Sequence, residues 1–350
     1  MISQSLVAFG AALKPRETAT PDPQGSEVLL DVRHAGVCHS DLHIQDGHFD
    51  LGGGKKLPLD FIPLPHTPGH EIEGEVVAAG PDAAGIRIGA RYAVYPWIGC
   101  GECAACRRGE ETLCARPRQL GISPGAAGGY ATHVLVPHPR YLLDYGDAPP
   151  VLAAVSMCSG LTAFAAIRKL GALCASDDIL VIGCGGVGLM GIAFARAVTG
   201  KAPLAADIDE TRFSTARASG AAAVYDTKDS KAVKNIVADT KGGAAAAIDF
   251  VGSEASFAFA NASVRKGGRI VLVGLFGGAM TMPLPMFPLR ALSLVGSYVG
   301  TLAEAHEMMK LLRTGKPAPM PIQTRPLAEA SATLDDLRRG RIAGRAVLVP

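Results

Sequence analysis

Short β-type runs set among prolines and glycines fill the first 150 residues, and residues 28–32 and 74–78 are predicted as strands bounded by turns. From residue 151 the texture changes. Residues 154–170 carry a helical pattern, and residues 179–182 form an unbroken apolar run of the kind found in strands buried on both faces. A glycine-rich turn and a second helical stretch at 189–197 follow. Further apolar runs at 203–206, 246–251 and 269–273 are separated by alanine-rich helical segments. Strands that alternate with helices predict a parallel, doubly wound α/β sheet covered on both faces. Beyond residue 295 the alternation stops. Residues 302–313 and 327–338 are predicted as helices and 346–349 as a closing strand, so the chain is expected to return to its first unit. The expected plan is a mainly β unit over 1–150 with a cysteine lobe at 99–115, a doubly wound α/β unit over 151–294, and a return over 295–350.

Composition narrows the classes. At 350 residues the chain exceeds one ordinary core, and 48% hydrophobic with 19% charged residues fits a globular protein. A net charge of +2 without a run of five like charges argues against a nucleic-acid partner gripped through its phosphates. No unbroken apolar stretch reaches the length of a membrane span. The first ten residues lack a basic stretch followed by an apolar one, so a cytoplasmic location is expected. Eight cysteines remain, four of them between Cys100 and Cys114. Such crowding points to metal rather than disulfides.

Gly183-Cys184-Gly185-Gly186-Val187-Gly188 is a G-x-G-x-x-G placed directly after a predicted strand and before a predicted helix. Gly183 allows the tight turn, Gly185 admits a pyrophosphate against the backbone, and Gly188 lets helix and strand pack closely. The helix N-terminus offers unpaired N–H groups to the phosphates. In a chain with 42 glycines the pattern alone is weak, but Asp207 follows 24 residues after Gly183, where the second strand ends. A carboxylate there accepts ribose hydroxyls and repels a 2′-phosphate, which favours NAD over NADP. Arg212 softens that preference.

Cys100, Cys103, Cys106 and Cys114 supply four thiolates in one short loop, enough to close a tetrahedral zinc site with no open position. Gly99, Gly101 and Gly109 let so short a segment fold round an ion. A nucleic-acid zinc ribbon is the competing reading, but the only basic surround is Arg107, Arg108, Arg116 and Arg118.

Three further segments carry ligand-type residues: Cys38-His39-Ser40-Asp41-Leu42-His43, Gly69-His70-Glu71, and Cys158-Ser159-Gly160-Leu161-Thr162. Singly, each is ordinary, since a cysteine is usually a small packing residue. Jointly, in this order with the cysteine lobe and the glycine turn, they resemble the zinc-dependent medium-chain alcohol dehydrogenases over essentially the whole chain. The resemblance implies a Rossmann domain inserted into a GroES-like catalytic domain, two zinc ions per chain, NAD, and a homotetramer or homodimer acting on a small-molecule alcohol, aldehyde or ketone. It makes Cys38, His70 and Cys158 the catalytic zinc ligands, the Cys2His set known for this enzyme class. Asp41 matches the carboxylate that orients the histidine, and Glu71 the one behind the metal. Ser40 matches the hydroxyl that takes the alcohol proton, and His43 the outer end of that relay. His39 matches a residue against the cofactor pyrophosphate, and Thr162 one packed on the nicotinamide. Leu275, just past Val273, matches a position whose main chain lines the nicotinamide pocket.

The chain departs from the compact pattern between Cys38 and His70, where 31 residues intervene, including Gly52-Gly53-Gly54-Lys55-Lys56. This stretch is expected to be a loop bordering the substrate entrance, with His48 and His66 as exposed loop histidines. Trp97 resembles an aromatic pocket wall, with plain packing as its alternative. Cys174 and Cys184 are surplus to both metal sites and are expected to be packing residues. A polyol or amino-alcohol dehydrogenase of the same superfamily, and a non-catalytic zinc protein on the same fold, remain as competing readings. A zinc-free quinone or enone reductase would lack Cys38 and His70.

Overall fold

The computed structural model describes residues 1–174 and 177–350, apart from the side chain of Cys174. The packing role expected of Cys174 lies outside the described residues. Two sheets organise the chain. The first runs Ile322–Pro326, Arg345–Val349, Val28–Val37, Glu71–Ala79, Arg91–Val94 and Leu142–Leu143, and His133–Val136 also pairs with Val28–Val37. The strand expected at 28–32 extends to Val37 because Ala35 and Gly36 find partners on both sides, in Ile72 and Glu71 and in Leu348 and Val347. The closing strand is therefore stitched into the first part of the chain.

The second sheet has six parallel strands in the order Ala223–Asp226, Leu204–Asp207, Ile179–Ile182, Ala244–Asp249, Val264–Leu272, Ser293–Gly296. Order reverses beside Ile179–Ile182, the position at which such sheets open a ligand crevice. All four residues of that strand are buried, as its unbroken apolar run requires.

Three sequence expectations need amendment. The helix expected at 154–170 starts earlier, with Pro150 at its first position where a missing N–H costs nothing, and it contains a π-helical turn over Ser156–Gly160. The helical run Pro150–Arg168 is apolar and long enough to cross a bilayer, but 78% of its apolar window is buried in the protein, as in a core helix. The stretch expected to be a loop contains an antiparallel hairpin, His48–Gly52 with Lys55–Pro58. Gly52, Gly53 and Gly54 take its turn at φ of +79°, +58° and +76°, a region closed to most side chains. His66 is not exposed: it is 4% accessible, its backbone pairs with Leu6, and its Nε2 lies 3.0 Å from the Gly121 carbonyl. His48 is half-buried, with Nδ1 3.0 Å from the Asp46 carbonyl.

Candidate functional site

Cys38 is the N-cap of helix His39–Asp46, in extended conformation, and Asp41 at the third helical position accepts its N–H at 2.9 Å. One carboxylate thus caps the helix and reaches further. Asp41 also accepts from Tyr130 Oη at 2.8 Å and the Gly69 N–H at 3.3 Å, and lies 3.4 Å from His70 Nδ1. Gly69 sits at φ +96°, and a Cβ there would fall 2.3 Å from the Tyr130 ring, so the residue before His70 has to be glycine. His70 then leads directly into strand Glu71–Ala79. Cys158 comes from the π-helical turn, and its Sγ lies 3.9 Å from Cys38 Sγ.

Donor atoms of Cys38, His70, Glu71 and Cys158 all lie within 4.8 Å of one another, and all four residues are buried. Among the described residues neither ring nitrogen of His70 has a hydrogen-bond partner of good geometry, although the side chain is wholly buried. Buried imidazoles normally satisfy both nitrogens. An unpartnered ring flanked by two thiols is the donor set of a Cys2His zinc site, so the residues fit the metal. Against its burial, Asp41 and Cys38 hold His70 above the usual imidazole range. The Cys158 thiol beside it draws Cys38 down.

Glu71 completes the cluster and brings in a residue that the sequence did not single out. Arg345, at the start of the closing strand, is buried and ion-paired to Glu71. Burial raises the Glu71 carboxyl to about 7 even with the guanidinium opposing it. A Cβ on Gly36 would fall 2.0 Å from Glu71 Oε2, and one on Gly186 2.5 Å from Arg345 Cδ. Arg345 therefore spans from the donor cluster to the glycine turn. Its only sequence signal is a charge heading an apolar strand.

The cysteine lobe gathers as its spacing implies. Cys103 Sγ lies 3.4 Å from Cys106 Sγ and 3.8 Å from Cys114 Sγ, and Cys100 Sγ lies 4.0 Å from Cys106 Sγ. Backbone N–H groups of Cys100 and Arg116 each donate to Cys114 Sγ at 3.3 Å. Those of Glu102 and Cys103 bring the Cys100 thiol down to about 6. A Cβ on Gly99 would sit 2.4 Å from Cys106 Sγ. Buried Glu111 ties the lobe down, accepting from the Gly99 N–H at 2.8 Å and Tyr141 Oη at 2.9 Å.

The glycine turn also has the expected form. Gly183 is at φ +89°, Gly185 caps helix Gly186–Thr199, and a Cβ on Gly188 would lie 1.6 Å from the Gly183 carbonyl oxygen. Val187 is half-buried on the helix's first turn. Asp207 ends its strand, accepting N–H groups from Cys184 and, at 2.8 Å, from Asp209. Each carboxylate oxygen keeps a further lone pair. Arg212 lies 3.8 Å from Asp207 and 3.3 Å from Asp209. Cys184 is buried and burial raises its thiol to about 12, which suits a packing residue.

Ser40 and His43 share one face of helix His39–Asp46, and Ser40 Oγ is 3.8 Å from Cys38 Sγ. Among the described residues no hydrogen bond joins the two. The His43 ring lies 4.6 Å from that of Phe49 in the hairpin, and burial holds it below the usual imidazole range. His39 is exposed. Thr162 is half-buried on the helix after Cys158, Val273 is buried, and Leu275 is 49% exposed. The Trp97 ring stands 5.4 Å from that of His70, edge-on.

Known proteins resemble this chain over its whole length. Residues 24–146 match the model of the alcohol dehydrogenase GroES-like domain and residues 186–314 that of the zinc-binding dehydrogenases. The chain is 39% identical to an NAD-dependent alcohol dehydrogenase of Sulfurisphaera tokodaii, with both sequences covered in full. It is 37% identical to one of Saccharolobus solfataricus over 99% of each chain. The alcohol dehydrogenase of Aeropyrum pernix superposes with a TM-score of 0.88 at 28% identity, each chain fully covered. With two metal-donor clusters and a dinucleotide turn on one fold, the chain belongs to the zinc-dependent, NAD-linked alcohol dehydrogenases of the medium-chain dehydrogenase/reductase superfamily.

Proposed function

We propose that the chain oxidises alcohols to aldehydes or ketones, and the reverse, with Cys38, His70 and Cys158 holding the catalytic zinc. The observation that carries the assignment is the buried His70, without a well-formed hydrogen bond at either nitrogen, inside a ring of donors. Cys100, Cys103, Cys106 and Cys114 hold a second, structural zinc. When bound, the catalytic ion supplies a Lewis acid that eases loss of the hydroxyl proton, and NAD accepts the hydride.

The chain's own residues do the rest. Asp41 fixes the His70 ring. Ser40, beside the thiol of Cys38, takes the alcohol proton as it releases its own, and His43, one turn along the same helix, is the outer acceptor. Burial holds the His43 ring below the usual imidazole range, which favours its neutral, proton-accepting form. Glu71, paired with Arg345, lies behind the ligands as a reserve carboxylate. His39 and the Gly183–Gly188 turn take the pyrophosphate, Asp207 the adenosine ribose with Arg212 alongside, and Thr162, Val273 and Leu275 the nicotinamide. The division into 1–150, 151–294 and 295–350, a homodimer or homotetramer, and a cytoplasmic location belong to the same reading. A polyol or amino-alcohol substrate is the alternative within the family, and the Cys158 thiol in place of a carboxylate ligand weighs against it.

Metal analysis of the purified chain tests the assignment. Wild type is expected to hold about two zinc per chain, and Cys158→Ser about one, with turnover lost and the lobe still folded. Full activity in Cys158→Ser, or one zinc in wild type, would overturn it.

A further inference from the structure

Several helical hydroxyls in this chain are spent on the helix itself. Ser159, Thr199, Thr240 and Thr333 donate to the carbonyl four residues back, at 2.8, 2.8, 2.6 and 2.9 Å. Ser219 does not. It closes helix Phe213–Ala218, its N–H donates to the Thr215 carbonyl at 2.9 Å, and the residue is only 1% exposed. Among the described residues its buried hydroxyl has no hydrogen-bond partner. Buried hydroxyls are normally paired, because leaving one unmade forfeits its hydration for nothing.

Ser219 also lines a solvent-open cavity of about 460 Å³, a size within the range of small-molecule sites. Ser214, Thr215 and Ser219 form one wall, on the parallel-sheet unit. Pro319, Met320 and Pro321 form the other, on the segment that leads into strand Ile322–Pro326 of the first sheet. None of the lining residues is charged, so an ionic ligand would lose hydration there without gaining a counter-charge. The proline rings and the adaptable Met320 thioether offer an apolar face opposite the hydroxyls. A hydroxyl with neither its donor nor its acceptor engaged is matched by a carboxamide, which carries N–H and C=O side by side.

Each wall continues towards the glycine turn. Arg212, which precedes helix Phe213–Ala218, lies 3.8 Å from Asp207. The Pro321 carbonyl accepts the Arg345 N–H at 3.0 Å, and a Cβ on Gly344 would fall 2.1 Å from that carbonyl oxygen. Arg345 in turn packs on Gly186, where a Cβ would meet its Cδ at 2.5 Å. A molecule seated between the walls therefore bears on Asp207 from one side and on the turn from the other.

We infer that this cavity binds a small neutral carboxamide with an apolar body, and that its occupancy is coupled to that of the dinucleotide cleft. The coupling, though not the site, rests on the dehydrogenase reading above.

The test uses the zinc-loaded enzyme with its methionine methyls labelled with carbon-13, Met320 being assigned through Met320→Leu. Benzamide should move the Met320 methyl resonance at roughly millimolar concentration. Toluene, which lacks the amide, and benzoate, which is charged, should leave it nearly in place. Ser219→Ala should weaken benzamide about threefold to tenfold without lowering the urea midpoint, since the hydroxyl it removes serves no partner in the protein. The Met157 methyl reports the donor cluster, because the Met157 carbonyl holds the Trp97 ring that stands beside His70. A benzamide response at Met157 and none at Met320 overturns the site. So does an equal response to toluene or benzoate, or unchanged benzamide affinity in Ser219→Ala. Saturating benzamide should change the Kd of NADH, read by its own fluorescence, about fivefold or more, and an unchanged Kd overturns the coupling. Failure to bind NADH at all would sink the dehydrogenase reading, while the Met320 titration still decides the site. Should Ser219→Ala fail to fold, the hydroxyl is structural and the inference falls.

Discussion

Asp41 concentrates more of the site in one side chain than any of the proposed metal ligands does. It caps the helix that starts at Cys38, takes the Tyr130 hydroxyl, and faces His70 Nδ1 at 3.4 Å. Carboxylates in this position typically cost 10- to 100-fold in metal affinity when lost. Asp41→Ala is therefore expected to weaken zinc at the catalytic site by about that factor while leaving the cysteine lobe loaded. Competition with a chelator, site by site, measures it, and equal loss from both sites would mean general unfolding instead. The residues of the donor cluster were legible in the sequence because cysteine and histidine advertise their chemistry and come in short motifs. Arg345 was not, because its partner Glu71 is 274 residues away and only the fold joins them. Arg345→Leu should destabilise the chain by about 3–5 kcal/mol, since it leaves a buried carboxylate without its cation. Urea unfolding checks this, and a loss below 1 kcal/mol would show the pair to be dispensable.

Strand Glu71–Ala79 shows what an element hides from a pattern reader. Its sequence starts Glu-Ile-Glu, which alternation reads as polar, apolar, polar, yet Glu71, Ile72 and Glu73 are all fully buried. Glu73 tolerates burial because His34 Nδ1, Arg91 Nε and Nη2, and Tyr145 Oη surround it at 2.7 Å. Although burial opposes it, these partners bring the Glu73 carboxyl below its ordinary value of 4.5. An acid whose folded pKa is depressed adds stability above its unfolded pKa and loses it as pH falls through the folded one. Glu73→Gln should thus cost about 2–3 kcal/mol at pH 7 and progressively less below pH 4.5. Denaturant melts of both chains across pH 3–7 test it, and a constant gap would refute the linkage. The helices and parallel strands could be read because their periods repeat over many residues. The π-helical turn at Cys158 and the hairpin could not, since one extra residue per turn leaves no mark in a short pattern. The hairpin is not idle. A Cβ on Gly52 would fall 2.5 Å from Gly278 Cα, and one on Gly277 2.9 Å from the Asp50 carbonyl oxygen. Gly52→Ala should lift the hairpin from that segment, and faster tryptic cleavage after Lys55 and Lys56 reports it.

At the scale of the whole molecule, the parallel sheet ends on Ser293–Gly296, which among the described residues has a strand partner on one side only. An edge strand offers a row of backbone donors and acceptors that natural proteins cover or pair. The segment leading into it exposes Leu284 at 78%, Leu289 at 69% and Met286 at 38%. Neither feature was legible beforehand, because exposure belongs to the folded surface and an edge exists only once strand order is known. An open edge beside clustered apolar side chains suits a second copy of the chain related by a twofold axis, where one patch meets itself. Wild type is then expected to sediment as two or four chains at micromolar concentration. Leu289→Asp places a charge in each half of a self-matched patch, so two like charges would be buried together and assembly should fail. The variant should sediment as one chain with its zinc content unchanged, because both donor clusters are built within a single chain. A monomeric wild type, or an assembly that Leu289→Asp leaves intact, would place the interface elsewhere or remove it.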